Sequence, residues 1–168
     1  MRSQLENIYG FLGWSFVQIL FFSQVHLFGF ITPFVYPMYL LLLPIRINNI
    51  SLLLISFTQG LLLDLFSSSG GIHTASSVLV AFLRPLVLNA IMPGGKLDDV
   101  AKPSKNKLGL VSFLLYLGTL LFAHHLTFNF LDAYTFSDFF YTFSKSLLSA
   151  LYALLLVLIY MQVLKEKN

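Results

Sequence analysis

The sequence predicts an all-α integral membrane protein with six transmembrane helices and both ends in the cytoplasm. Three observations carry this reading. Of 168 residues, 57% are hydrophobic and 10% charged, with a mean hydropathy of +0.82, whereas soluble domains carry about 25% charged residues. The apolar residues fall into runs long enough to cross ~30 Å of hydrocarbon. Lys and Arg gather in alternate connections between those runs. A water-soluble fold of this length leaves roughly a third of its potential surface facing water, and this composition cannot supply that surface.

Hydropathy delimits the spans as Ile8–Leu27, Phe30–Ile45, Ile50–Phe66, Ile72–Met92, Leu108–Thr127 and Phe139–Leu164. The first run exceeds the roughly 7–15 residues of a signal-peptide core. No alanine precedes Ala75, so an A-x-A cleavage site is missing and the run is expected to stay as a helix. The second run is short and carries Pro33 and Pro37. As a helix it would extend only about 24 Å, thinning the bilayer or entering it obliquely. Charge supports keeping it. With six spans, Arg2, Arg46, Lys96, Lys102, Lys105, Lys107, Lys165 and Lys167 share one side, and the connections near Gly29, Ser67–Gly71 and Phe128–Asp138 hold no Lys or Arg. Cytoplasmic loops are the ones enriched in these residues. The stretch Pro93–Lys107, rich in Pro, Gly and mixed charge, reads as a cytoplasmic loop, either connector or docking point.

Several chemistries are excluded. The chain has no cysteine, which removes disulfides, iron–sulfur clusters and thiolate zinc sites. The net charge of +3 is scattered between apolar segments and not gathered into the groove or stripe of a nucleic-acid binder. His124 and His125 are adjacent, so on a helix they point about 100° apart and chelate one metal poorly. No H-E-x-x-H, Walker A or G-x-S-x-G pattern occurs. No catalytic residue, metal or cofactor is expected.

Asp64, Arg84 and Lys145 lie inside apolar runs, where a charge costs at least about 2.5 kcal/mol and faces protein or a water-filled cavity. Asp64 and Lys145 fall at depths about 6 Å apart and would pair if their helices were neighbours. Arg84 lies near mid-membrane, where carbonyls, hydroxyls or water would serve it. Ser56, Gly60 and Asp64 form one small, polar stripe on the third helix, and Thr74, Ser77, Ala81 and Arg84 one on the fourth. Close packing across this seam is one reading. A polar pocket opening outward near Asp64 and His73 is the other. Ser146, Ala150 and Ala153 give the last helix a small packing face.

The stretch Pro44–Pro85, PIRINNISLLLISFTQGLLLDLFSSSGGIHTASSVLVAFLRP, resembles the rod shape-determining MreD family. Pro44, Arg46 and Asn48 match a Pro followed by Arg and Asn at the inner end of the second helix. Gly60 and Asp64 match a G-x-x-x-D helix end, and Gly71 with Ala75 match the small-residue loop and the helix start after it. The match covers about a quarter of the chain; Arg84, Lys145 and the polar loop lie outside it. The resemblance implies a non-enzymatic component of the cell-elongation machinery in the bacterial inner membrane. Its implied partners are MreC and, through a wider complex, MreB, RodA and a class B penicillin-binding transpeptidase. The family's helical core is also similar to the S components of energy-coupling-factor transporters, which supplies a second expectation, a small-molecule (vitamin) binding subunit.

Overall fold

A computed structural model describes residues 2–91 and 102–165. Its helices are α1 (Arg2–Leu20), α2 (Pro37–Leu42), α3 (Asn49–Ser67), α4 (Ile72–Ile91), α5 (Lys105–Leu108), α6 (Leu110–Ala133) and α7 (Phe139–Lys165), with a 3-10 turn at Phe22–Gln24. Among the described residues β-structure is limited to one isolated bridge, Leu27 to Ile31. Four helices are long and apolar enough to cross a membrane: α3, α4, α6 and the Phe139–Gln162 part of α7. The apolar part of α1, Ile8–Leu20, is shorter. Of the predicted Pro93–Lys107 loop, residues 93–101 lie outside the described residues, as do Met92 and Lys167.

The pattern of exposure is that of a protein built for lipid. Leu54, Phe57, Leu61 and Leu65 of α3 and Phe82 and Leu86 of α4 face outward, while Ser56, Gln59, Asp64, Ser76, Ser77 and Arg84 are buried. In water this arrangement would expose the apolar face and bury the polar one, the reverse of a stable amphipathic helix. In hydrocarbon it leaves the outer face at home and gives the polar groups one another.

Helices α3, α4, α6 and α7 pack each on the next, α1 lies against α3, and α2 touches α1, α3, α4 and α6. The chain from Ile31 to Leu41 is buried almost throughout, so the centre of the bundle is the segment hydropathy ranked weakest. Two predicted boundaries fail here. The first helix stops at Leu20, not Leu27, and turns through Phe22–Gln24, where the Ser23 hydroxyl donates to the Gln18 carbonyl at 3.0 Å. The second predicted helix, Phe30–Ile45, is helical only over Pro37–Leu42. Pro33 lacks an N–H and disfavours helical backbone at Thr32, while Pro37 sits at the permissive first turn of α2. Leu43 leaves the helix at φ −58°, ψ 155°, the conformation that the following Pro44 imposes.

The α3–α4 seam follows the small-residue stripes. A Cβ on Gly60 would sit 2.7 Å from the Thr74 nitrogen and 2.8 Å from the His73 carbonyl oxygen, and against the Thr74 Cα. These are backbone atoms of α4, so the neighbour cannot swing aside. Gly60→Ala is therefore expected to cost about 2–3 kcal/mol through forced separation of α3 and α4. Gly118→Ala in α6, where a Cβ would meet only Leu154 Cδ2 at 3.9 Å, should be neutral or slightly stabilising because alanine favours helix. Denaturation of the two variants in detergent compares them directly. Equal stability would show that the seam is not a close contact.

Candidate functional site

The irregular stretch between the turn at Gln24 and α2 carries backbone groups that no helix satisfies. Side chains from the surrounding helices do so instead. The Thr32 N–H donates to Ser149 Oγ of α7 at 3.2 Å and the Phe34 N–H to His125 Nε2 of α6 at 3.1 Å. Gln18 of α1 closes a two-way clamp: its Oε1 accepts from the Val35 N–H at 2.8 Å and its Nε2 donates to the Pro33 carbonyl at 3.3 Å. Gln59 of α3 donates to the Tyr36 carbonyl at 3.4 Å. In the last turn of α2 the Leu41 carbonyl accepts from the Tyr116 hydroxyl of α6 at 2.8 Å, and just beyond α2 Arg84 of α4 donates to the carbonyls of Leu43 and Pro44. Because Phe34 N–H is a donor, His125 Nε2 is an acceptor and its proton is on Nδ1, bonded to the Leu121 carbonyl at 2.8 Å.

Arg84 therefore finds carbonyls and a hydroxyl, as its depth suggested; Nε donates to Tyr116 at 3.0 Å. Its side chain is almost fully buried and binds the start of the predicted motif, the Pro44 carbonyl, to the middle of α4. Arg46 and Asn48 are exposed. Asn48 caps α3, its side chain accepting from the Ile50 N–H at 2.8 Å.

Asp64 completes the start of α4. The first N–H groups of a helix have no intrahelical partner. Here Ser69 O serves Ile72 at 3.3 Å and Gly71 O serves Ala75 at 2.9 Å, while the Asp64 carboxylate takes the other two, His73 and Thr74, each at 2.9 Å. It also accepts from the Ser69 and Thr74 hydroxyls at 2.6 and 2.5 Å. A carboxylate at a helix N-terminus gains from the helix dipole as well. Gly71, at φ +99°, lets the loop double back tightly enough for this. Ala75 is exposed and joins these contacts only through its backbone N–H to Gly71.

The expected Asp64–Lys145 pair does not form. α4 and α6 stand between α3 and α7, so equal depth does not bring the two side chains together. Lys145 Nζ instead lies 3.9 Å from Asp132 Oδ2 at the end of α6. The small face of α7 packs as expected, with Ser146, Ala150 and Ala153 buried.

A cavity of about 600 Å³ opens at the loop end of the bundle. Ser69 and His73 come from the Asp64 corner, Asn129 and Asp132 from α6, Lys145 from α7, and Phe34 from the irregular segment. Its size lies within the roughly 300–1,000 Å³ of small-molecule sites. Beneath it the Tyr36 hydroxyl gathers His73 Nδ1 at 3.2 Å, Ser77 Oγ at 3.0 Å and His124 Nε2 at 2.6 Å, and Phe34 packs on His73, His124, His125 and Phe128. Among the described residues no group of three or more His, Cys, Asp or Glu is arranged to hold a metal.

Sequence reasoning found the pocket's neighbourhood at Asp64 and His73 but passed over Gln18, Gln59, Tyr36, Tyr116 and Asn129. The signal was present: amides and hydroxyls inside apolar runs carry the same demand for a partner as charges do.

Asp64→Ala is expected to cost about 3 kcal/mol by orphaning two helix N–H groups and two hydroxyls. Combined with Lys145→Ala, its effect should add within about 0.5 kcal/mol, as for independent sites. A double-mutant cycle in detergent measures this, and substantial coupling would contradict the separation described above.

No family model matches the chain, and no curated protein or solved structure matches it either.

Proposed function

We propose that the chain is a non-enzymatic component of the cell-elongation machinery of the MreD type. It lies in the bacterial inner membrane with both ends in the cytoplasm, and it binds MreC and through it MreB, RodA and a class B penicillin-binding transpeptidase. The observation that supports this is that four residues of the motif behind the resemblance shape the stretch from α2 to α4. Pro44 receives Arg84, Gly60 sets the α3–α4 approach, and Asp64 with Gly71 builds the turn into α4.

Six crossings follow from the same reading. Ile31–Tyr36 reaches at most about 20 Å and α2 adds about 9 Å, together close to the ~30 Å of hydrocarbon. Non-helical backbone at membrane depth is tolerated where protein buries it or where it lines a cavity, and every residue of this segment but Thr32 is buried. Cysteines introduced at Lys102 and Asp132 of this cysteine-free chain should label from opposite faces of the membrane. Labelling of both by an impermeant reagent in intact cells would refute the topology.

The cavity favours a second reading, a small-molecule-binding membrane subunit akin to the S components of energy-coupling-factor transporters. Depletion separates the two. Rounded or widened cells and loss of MreC from the elongation complex are the expected outcome. Normal shape with impaired uptake of one vitamin would replace the first reading with the second.

A further inference from the structure

The cavity holds one cation and one anion, and both retain bonding capacity. Among the described side chains, Lys145 is the only Lys or Arg at this end of the bundle; Arg84 is turned toward the Leu43 and Pro44 carbonyls. At 3.9 Å the Lys145–Asp132 pair is an ion pair but too long for a direct hydrogen bond. The two side chains are 23% and 51% exposed, so the ammonium lies deeper and the carboxylate nearer the mouth.

Two nearly buried side chains extend this set. Asn129, 4% exposed, commits its amide NH₂ to Ser146 Oγ at 3.1 Å. The Ser146 hydroxyl in turn donates to the Thr142 carbonyl at 2.7 Å, which fixes the amide orientation and leaves the Asn129 carbonyl oxygen for the cavity. His73, 3% exposed, engages Tyr36 through Nδ1, leaving Nε2 as the ring nitrogen for a ligand. Both side chains line the cavity.

The charged side chains of the wall, Lys145 and Asp132, form an ion pair and sum to zero. A simple anion drawn to Lys145 would meet the Asp132 carboxylate, and a simple cation drawn to Asp132 would meet Lys145. A ligand with both poles satisfies each without adding net charge to the site. We propose that this cavity binds a zwitterion carrying an anionic oxygen group and an ammonium a few ångströms apart. This is the chemistry shared by a phosphoethanolamine headgroup and a free amino acid. The anionic group takes Lys145, and the ammonium takes Asp132 with the Asn129 carbonyl oxygen. The proposal rests on the cavity being a ligand site, the second reading above, and is independent of partnership with MreC.

The test is the ligand-induced shift in Tm of the purified full chain in detergent. One arm adds phosphatidylethanolamine to the micelles, a second adds free phosphoethanolamine or glycine, and controls add phosphatidylglycerol or inorganic phosphate. A rise of roughly 5 °C or more at saturation is expected in one of the first two arms, and the responding arm identifies the source as lipid or free solute. Lys145→Met and Asp132→Asn should each abolish the shift. The second is the more exposed position, so it keeps the test usable if the first variant folds poorly. An equal rise with phosphatidylglycerol or phosphate that depends on Lys145 would make this a plain anion site, overturning the zwitterion while leaving a ligand site. A shift that survives both substitutions places binding elsewhere and overturns the proposal. No shift with any probe overturns the proposal, while the reading beneath it stands or falls on vitamin uptake in the depleted cells.

Discussion

The structure depends on the requirement that backbone polar groups away from water find partners within the protein. Between Gln24 and α3 the chain forms only six residues of α-helix, yet it occupies the middle of the bundle. An unsatisfied N–H or C=O there would cost several kcal/mol. Five different helices therefore each send a polar side chain inward: Gln18 from α1, Gln59 from α3, Arg84 from α4, His125 and Tyr116 from α6, Ser149 from α7. These residues look out of place in apolar helices and are explained by the segment they surround. Their bonds also hold the helices in register, because each links a helix to the same central strip of chain.

The α3–α4 corner answers a related need with different means. Gly60 allows two helix backbones to approach until a single methyl group would separate them, and Asp64 supplies the N–H groups at the start of α4 with acceptors from outside that helix. The first is a matter of volume and the second of hydrogen bonding, yet both lie on one face of α3, four residues apart. A tight seam and a closed turn reinforce each other, since the carboxylate reaches His73 and Thr74 only when the helices are this close.

The irregular segment forms part of the cavity wall through Phe30, Thr32 and Phe34. The rest is lined by groups already positioned for structural reasons: His73 by Tyr36, Asn129 by Ser146, Ser69 by Asp64. The ligand proposed for this cavity would therefore meet groups that do not have to be ordered on binding.

The sequence by itself determined the solvent, the four long helices and the residues of the seam. Helices α3, α4 and α7 begin and end within about two residues of the hydropathy boundaries, because lipid imposes a length on an apolar run, whereas α6 runs past its expected end at Thr127 to Ala133. It also marked Gly60 and Asp64, since a small residue and a carboxylate in such a run have few physical uses. Hydropathy could not show that Ile31–Tyr36 is not helical, because a buried irregular segment and a buried helix have the same composition. Nor could it choose a partner for Asp64. Spacing along a helix gives depth and face, whereas the order in which helices surround one another is set by packing. That order put α4 and α6 between α3 and α7, gave Asp64 to the start of α4, left Lys145 to Asp132, and so placed the two unlike charges together at the wall of one cavity.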